Sequence, residues 1–147
     1  MAQRGKRAQL VSPVRISGVA HYKDDRYIIL ASHKNERCRF YEITVNEKIV
    51  EENTFVVENV KYPNDFTVTQ DIGFHNGNIY MVVCTTNKKK SAVLRIPYQG
   101  ESGVLKPDLV YLGSENGGEY ESVSFTKEGE ILVSSNTAKG DWIYRIC

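Results

Sequence analysis

Three stretches of this chain repeat one pattern of polar and apolar positions. Ser17-Gly18-Val19-Ala20-His21-Tyr22, Gln70-Asp71-Ile72-Gly73-Phe74-His75 and Glu121-Ser122-Val123-Ser124-Phe125-Thr126 each run through two polar or small residues, a β-branched residue, a small residue and a ring. Each is followed by a tight polar turn, an apolar run, a polar loop and a closing triplet. The triplets are Tyr41-Glu42-Ile43, Leu94-Arg95-Ile96 and Tyr144-Arg145-Ile146. Val19, Ile72 and Val123 mark intervals of 53 and 51 residues. The chain therefore reads as three copies of one unit.

The unit is built of short strands. First strands are expected at residues 16–22, 68–75 and 121–125. The turns after them are Lys23-Asp24-Asp25, Asn76-Gly77 and Lys127-Glu128-Gly129. Asn-Gly between two apolar runs is a strong hairpin signal, because a type I′ turn needs positive φ at both central residues. Gly129 fills the left-handed slot of the third repeat and Asp25 that of the first. Second strands are expected at 27–32, 78–85 and 130–134. Their centres, such as Tyr80-Met81-Val82-Val83, are apolar on both sides and predict burial on both faces. Third strands at 39–45, 92–97 and 142–146 alternate more and predict one wetter face.

Strands repeating with a period near fifty residues point to the blades of a β-propeller, an all-β fold. Fourth strands are expected at Thr54-Phe55-Val56-Val57 and Leu109-Val110-Tyr111-Leu112. The third repeat offers none, and an open edge there invites aggregation. Upstream of the first repeat, Gln9-Leu10-Val11 before Ser12-Pro13 falls where a fourth strand would stand. It is expected to complete the last blade. The boundaries that follow are a basic tail over residues 1–8, blades over 15–59, 64–113 and 118–147, and the extra strand over 9–12. Known propellers need about four to eight blades. Two copies of this chain, exchanging their N-terminal strands under two-fold symmetry, would supply six. The alternative is a fragment of a longer propeller protein.

Composition narrows the function classes. Hydrophobic residues make up 41% of the 147 and charged residues 25%, a proportion ordinary for a globular domain. The net charge of +1 lacks the basic excess of most nucleic-acid-binding domains. The longest apolar run, residues 79–84, is far short of a membrane span. No apolar stretch follows the basic N-terminus, so it does not read as a secretory signal. Cys38, Cys84 and Cys147 have neither disulfide-framework nor zinc-site spacing. Cys84 reads as a small core residue, and the expected compartment is reducing and cytoplasmic.

Glu121-Ser122-Val123-Ser124-Phe125 with Gly129-Glu130-Ile131-Leu132-Val133-Ser134 and Ile143-Tyr144-Arg145-Ile146 resembles the blades of six-bladed propellers of the NHL-repeat, gluconolactonase-like and strictosidine-synthase-like families. Asp71-Ile72 with Asn76-Gly77-Asn78-Ile79-Tyr80 is similar. Gluconolactonase-like enzymes hold a divalent cation in the central channel with Glu, Asn and Asp side chains. That resemblance implies Asp71 and Glu121 as ligands of a calcium or magnesium ion and a metal-dependent lactonase or esterase activity. Ser17-Gly18 in the first repeat departs from the pattern.

A propeller gathers Ser17, Gln70, Asp71, Glu121 and Ser122 at the axial end of the first strands. A cation would offset their mutual repulsion; hydrogen bonds to strand ends and channel water are the alternative. Around them stand the loops 33–37, 87–90 and 136–141, a mostly basic rim that includes Lys88, Lys89 and Lys90. Solvated charge is one account of that rim, and capture of a sugar acid, a phosphate or an acidic protein segment is the other. Tyr62, Phe66 and Tyr120 serve either as stacking platforms or as lids between blades, the second being the expectation. His21, His33 and His75 share no metal spacing and read as structural or solvent-facing. No Walker loop, Rossmann glycine pattern, zinc-protease helix or nucleophile elbow occurs. The readings that survive are a binding module with a polar channel mouth and basic rim, a metal-dependent hydrolase, and a structural fragment.

Overall fold

The computed structural model describes residues 15–33, 36–45, 49–57, 66–85, 87, 89–113 and 118–146, with the backbone alone at 15, 32–33, 36–38, 45, 49–57 and 66–67. Among these residues there are twelve strands and no helix. β1 (Arg15–Lys23), β2 (Arg26–His33), β3 (Glu36–Val45) and β4 (Ile49–Val57) form an antiparallel meander. β5 (Phe66–His75), β6 (Asn78–Thr85), β7 (Ser91–Pro97) and β9 (Leu109–Leu112) form a second, with the short β8 (Gly103–Leu105) lying between β7 and β9 in sequence. β10 (Glu119–Phe125), β11 (Ile131–Thr137) and β12 (Gly140–Ile146) form a third. The first strands of the sheets are neighbours, with β5 touching both β1 and β10. The protein is all-β, made of three blade-like sheets, and the second sheet lies between the other two.

Local chemistry accounts for the turns. Asn76 and Gly77 have φ of 50° and 77°, the two positive values a type I′ hairpin requires. In the first repeat the left-handed residue is Asp24, with φ of 46°, and not Asp25. Positive φ at the first central position only is the sign pattern of a type II′ turn, and an aspartate tolerates it. Gly129, with φ of 87°, closes the third hairpin and donates its N–H to the Thr126 carbonyl at 2.9 Å.

Apolar packing assembles the sheets. Ala20, Ile28, Leu30 and Phe40 of the first sheet bury against Ile72, Ile79, Met81, Val83 and Leu94 of the second. The opposite face of the second sheet, Tyr80, Val82 and Val93, buries against Tyr120, Val123, Ile131 and Val133 of the third. Ile29, Ala31, Tyr41 and Ile43 form a smaller buried cluster on the other face of the first sheet. Glu42 is buried too, held by Arg26 and by the Tyr98 hydroxyl, which ties the first sheet to the end of β7.

Several expectations need correction. The third strands β3 and β7 are not half wet: Phe40, Tyr41, Glu42 and Ile43, and Ala92, Val93, Leu94 and Ile96, are all buried. Each is an interior strand, with β4 or β9 continuing its sheet. Conversely, β11 is not buried on both faces, because no further sheet covers the side carrying Leu132 and Ser134 among the described residues. The expected loop at 136–141 is a tight hairpin in which Thr137 pairs with Gly140. β4 begins at Ile49, five residues before the strand expected from Thr54. β8 has no counterpart among the expected strands. It pairs parallel to β4, Phe55 opposite Gly103, and lays Leu105 against the first core, which covers what would be a free sheet edge. The N-terminal strand expected at Leu10-Val11 lies outside the described residues.

Candidate functional site

Each first strand carries the same irregularity. The ladder between β1 and β2 breaks between Ile16 and Gly18, that between β5 and β6 between Thr69 and Asp71, and that between β10 and β11 between Tyr120 and Ser122. The residues left over are Ser17, Gln70 and Glu121. A β-bulge of this kind bends the strand, raises its twist and re-aims a side chain. Thus one polar residue per repeat interrupts the ladder at the same step, three of the five expected at the axial end. The other two, Asp71 and Ser122, follow immediately.

The bulge of the second sheet and the first strand of the third build a polar cluster. Gln70 donates from Nε2 to the Glu119 carboxylate and lies 3.7 Å from Cys84 Sγ. Cys84 Sγ is 3.9 Å from Glu119 Oε1 and is fully buried. Asp71 Oδ2 accepts the Val123 N–H at 3.0 Å, so the carboxylate of one first strand grips the backbone of the next. On its other side stands Gly18, where an added methyl would lie 3.4 Å from Asp71 Oδ1 and 3.0 Å from the Ile72 nitrogen. Asp71 thus sits where the three first strands meet. Burial pushes its carboxyl pKa above the ordinary range, against the N–H groups of Val123 and Ile72, which favour the charged form. Ser122 Oγ lies 2.6 Å from Ser134 Oγ, and Glu121 is exposed.

The basic loop between β6 and β7 stands at the same end. Cys84 pairs with Ser91, whose hydroxyl donates to the Gly118 carbonyl at 3.1 Å and accepts the Tyr120 N–H at 3.0 Å. Its described residues are held by local polar groups. Asn87 Oδ1 accepts the Lys89 N–H at 3.0 Å, and Thr85 Oγ1 accepts the Lys90 N–H at 3.2 Å. Both lysine side chains are left exposed. Lys139 is exposed in the β11–β12 hairpin, whose strands meet Glu119 through the Glu119–Asn136 pair. Lys88 lies outside the described residues, as do Lys34 and Asn35 of the first rim loop.

Other expected residues have structural work. Tyr120 is buried beside Tyr144, a lid rather than a platform. Tyr62 lies outside the described residues, and Phe66 is described only as the first residue of β5. His75 stacks on Phe125 at 4.9 Å, and His21 Nε2 lies 2.8 Å from the Asp24 carbonyl oxygen. Among the described residues, no three His, Cys, Asp or Glu side chains gather closely enough to hold a metal ion. Glu119 and Cys84 join the cluster although the sequence marks Cys84 only as a small core residue and gives Glu119 no polar role of its own. Glu119 stands 49 residues from its partner Gln70 along the chain, so no local pattern marks the pair.

No protein-family model and no curated protein matches the sequence. Among solved structures, a Thermus thermophilus oxidoreductase described as a glucose dehydrogenase is similar in fold, with a TM-score of 0.51 and 15% identity. The match covers 90% of this chain and 44% of that one, so this chain spans less than half the length of the protein it resembles. At that identity the likeness concerns the fold alone. No helix among the described residues is long and apolar enough to cross a membrane.

Proposed function

We propose that the chain is a propeller-type binding module whose ligand surface is the bulged end of the first strands. The observation that carries this reading is the threefold recurrence of a bulge at Ser17, Gln70 and Glu121, with Glu119 and Cys84 drawn in beside Gln70. Bulges concentrate where a strand must present a side chain rather than continue a ladder. The resemblance of the blades to NHL-type and gluconolactonase-like repeats agrees with a module of this shape, and sites are grafted on folds rather than given by them.

The chemistry of the surface suggests a ligand class. Carboxylates and amides at the strand ends accept and donate hydrogen bonds to hydroxyl groups. Exposed lysines at the rim attract an anion. A polyhydroxylated anion, a sugar acid, uses both.

Titration with gluconate, inorganic phosphate and glucose, read as a thermal shift, tests this. A ligand that binds only the folded state raises the midpoint as its concentration passes Kd. Gluconate is expected to raise it, glucose to do so much less, and the triple charge reversal of Lys88, Lys89 and Lys90 to glutamate to abolish the effect. An unchanged midpoint with every anion ends the proposal.

A further inference from the structure

The repeats are equivalent position by position, and this equivalence shows what the third sheet lacks. The position occupied by Phe40 in β3 and Val93 in β7 belongs to Ile143 in β12, as the pairs Leu30–Phe40, Val82–Val93 and Ser134–Ile143 establish. Phe40 and Val93 are 0% exposed, whereas Ile143 is 76% exposed. Each of the first two faces is covered by the following sheet. The face of the third sheet, with Ser124, Leu132, Ser134 and Ile143, has no such cover among the described residues. A second strip is open at the other end of the stack: Val19 is 54% exposed, against 3% for Ile72 and 9% for Val123 at the same position. Ile29 and Tyr41 behind it are already buried, so the open part of that face is its axial strip.

The third sheet also has an unpaired edge among the described residues. β3 is flanked by β4, and β7 by β9, which pairs with Ala92 through Arg95. The same register places a fourth strand beside Trp142 through Arg145 of β12. There Trp142 is 54% exposed although Ala92, at its position in β7, is fully buried. A free strand with apolar side chains on both faces is a template for another strand.

We propose that β12 receives residues Gln9–Val11 of a second copy of this chain, and that two copies join at two such seams with the Val19 strip of each against the Ser124–Leu132 face of the other. The sequence supplies an adjacent apolar pair just before β1, Leu10-Val11. Its tether argues for the other copy. Three residues separate Val11 from Arg15, the first residue of β1, and so allow a reach of about 14 Å at most. The first strands converge at Asp71, but the open slot beyond β12 stands three strand spacings out from β10, roughly 14 Å, with the second sheet still between it and β1. A chain cannot easily lay its own Leu10-Val11 along its own β12, whereas a partner related by a two-fold axis supplies both strands at once. The inference rests on the stacked-sheet fold and deepens the proposed function, since the axial end would then be shared between the copies.

Light scattering tests it on the full chain. The expected mass is twice 16.7 kDa, falling twofold on deletion of residues 1–12 and for the double variant Leu10→Asp, Val11→Asp, with the strand signal in circular dichroism retained. Ile143→Glu is expected to give the same fall through the face rather than the edge. A wild-type mass of 16.7 kDa at micromolar concentration overturns the proposal and points to some other cover for β12, such as further blades of a longer chain. A double mass that survives both N-terminal changes overturns the strand exchange. Gluconate binding by a monomer would sink the dimer and leave the binding proposal standing.

Discussion

Asp71 shows how one residue is pulled between two demands. Its carboxylate supplies the acceptor that the buried Val123 N–H needs, at 3.0 Å. Desolvation meanwhile raises its pKa, so carrying a charge there costs stability. The two effects separate by substitution. Asp71→Asn keeps an acceptor oxygen and removes the charge, so its stability should equal or exceed that of the wild type at neutral pH. Asp71→Ala leaves the N–H unpaired and should cost about 1–2 kcal/mol. The pH dependence has a definite sign. A carboxyl whose folded pKa is raised contributes stability that is fully present below the unfolded pKa and is lost as pH rises through the folded value. The advantage of Asn over Asp should therefore grow as pH is raised from below the ordinary carboxylate range to neutrality. Denaturant midpoints for the three proteins at several pH values check this, and an advantage that shrinks with pH contradicts the role given to burial.

Between elements, the sheets close on one another through small residues. Gly73 faces the third sheet so tightly that an added methyl would stand 2.7 Å from Phe125 Cε2 and 3.2 Å from Val123 Cγ1. Gly73→Ala should therefore act as overpacking, with a cost of about 1–3 kcal/mol. Phe125→Leu in the same chain should recover part of that loss, because the obstructing atoms belong to the ring. Gly77→Ala provides the contrast. Nothing lies within 4 Å of the new methyl, and the cost of about 1 kcal/mol arises from the positive φ alone. Its cost should be indifferent to Phe125. Equal rescue of both alanines by Phe125→Leu would contradict this account.

The same elements show why sequence informs some features and not others. Asn76-Gly77 announces its hairpin because the dihedral demand is met inside two residues. β6 is legible from Asn78 to Thr85 because two neighbouring sheets require an unbroken apolar run. β8 is illegible: three residues in parallel register beside β4 leave no alternation and no turn signature. The Gln70–Glu119 contact is equally silent, since the bulge that aims Gln70 and the strand that begins at Glu119 become neighbours only when the sheets pack. Ser17, Gln70 and Glu121 stood out as polar residues in matching places. That they are bulges follows from the ladders they interrupt.

At the scale of the whole molecule, stability should be graded along the stack. The second sheet shares a core with each neighbour, so exposing β6 requires breaking both. Among the described residues the third sheet shares one core and carries β12 at its edge, with Trp142 and Ile143 turned largely to solvent. Regions with few buried contacts open locally, well below the global unfolding free energy. Amides in residues 79–85 and 92–96 should exchange slowest with deuterated solvent, and those in residues 141–146 fastest among the strands. If β12 gains a strand from a second copy, its protection must also depend on concentration, because the cover is then supplied by association. Exchange measured over a hundredfold range of protein concentration should slow residues 141–146 as the particle mass doubles, while residues 79–85 stay fixed. Slow exchange at β12 independent of concentration would place its cover within the single chain, and the stack would then end in a closed face instead of a seam.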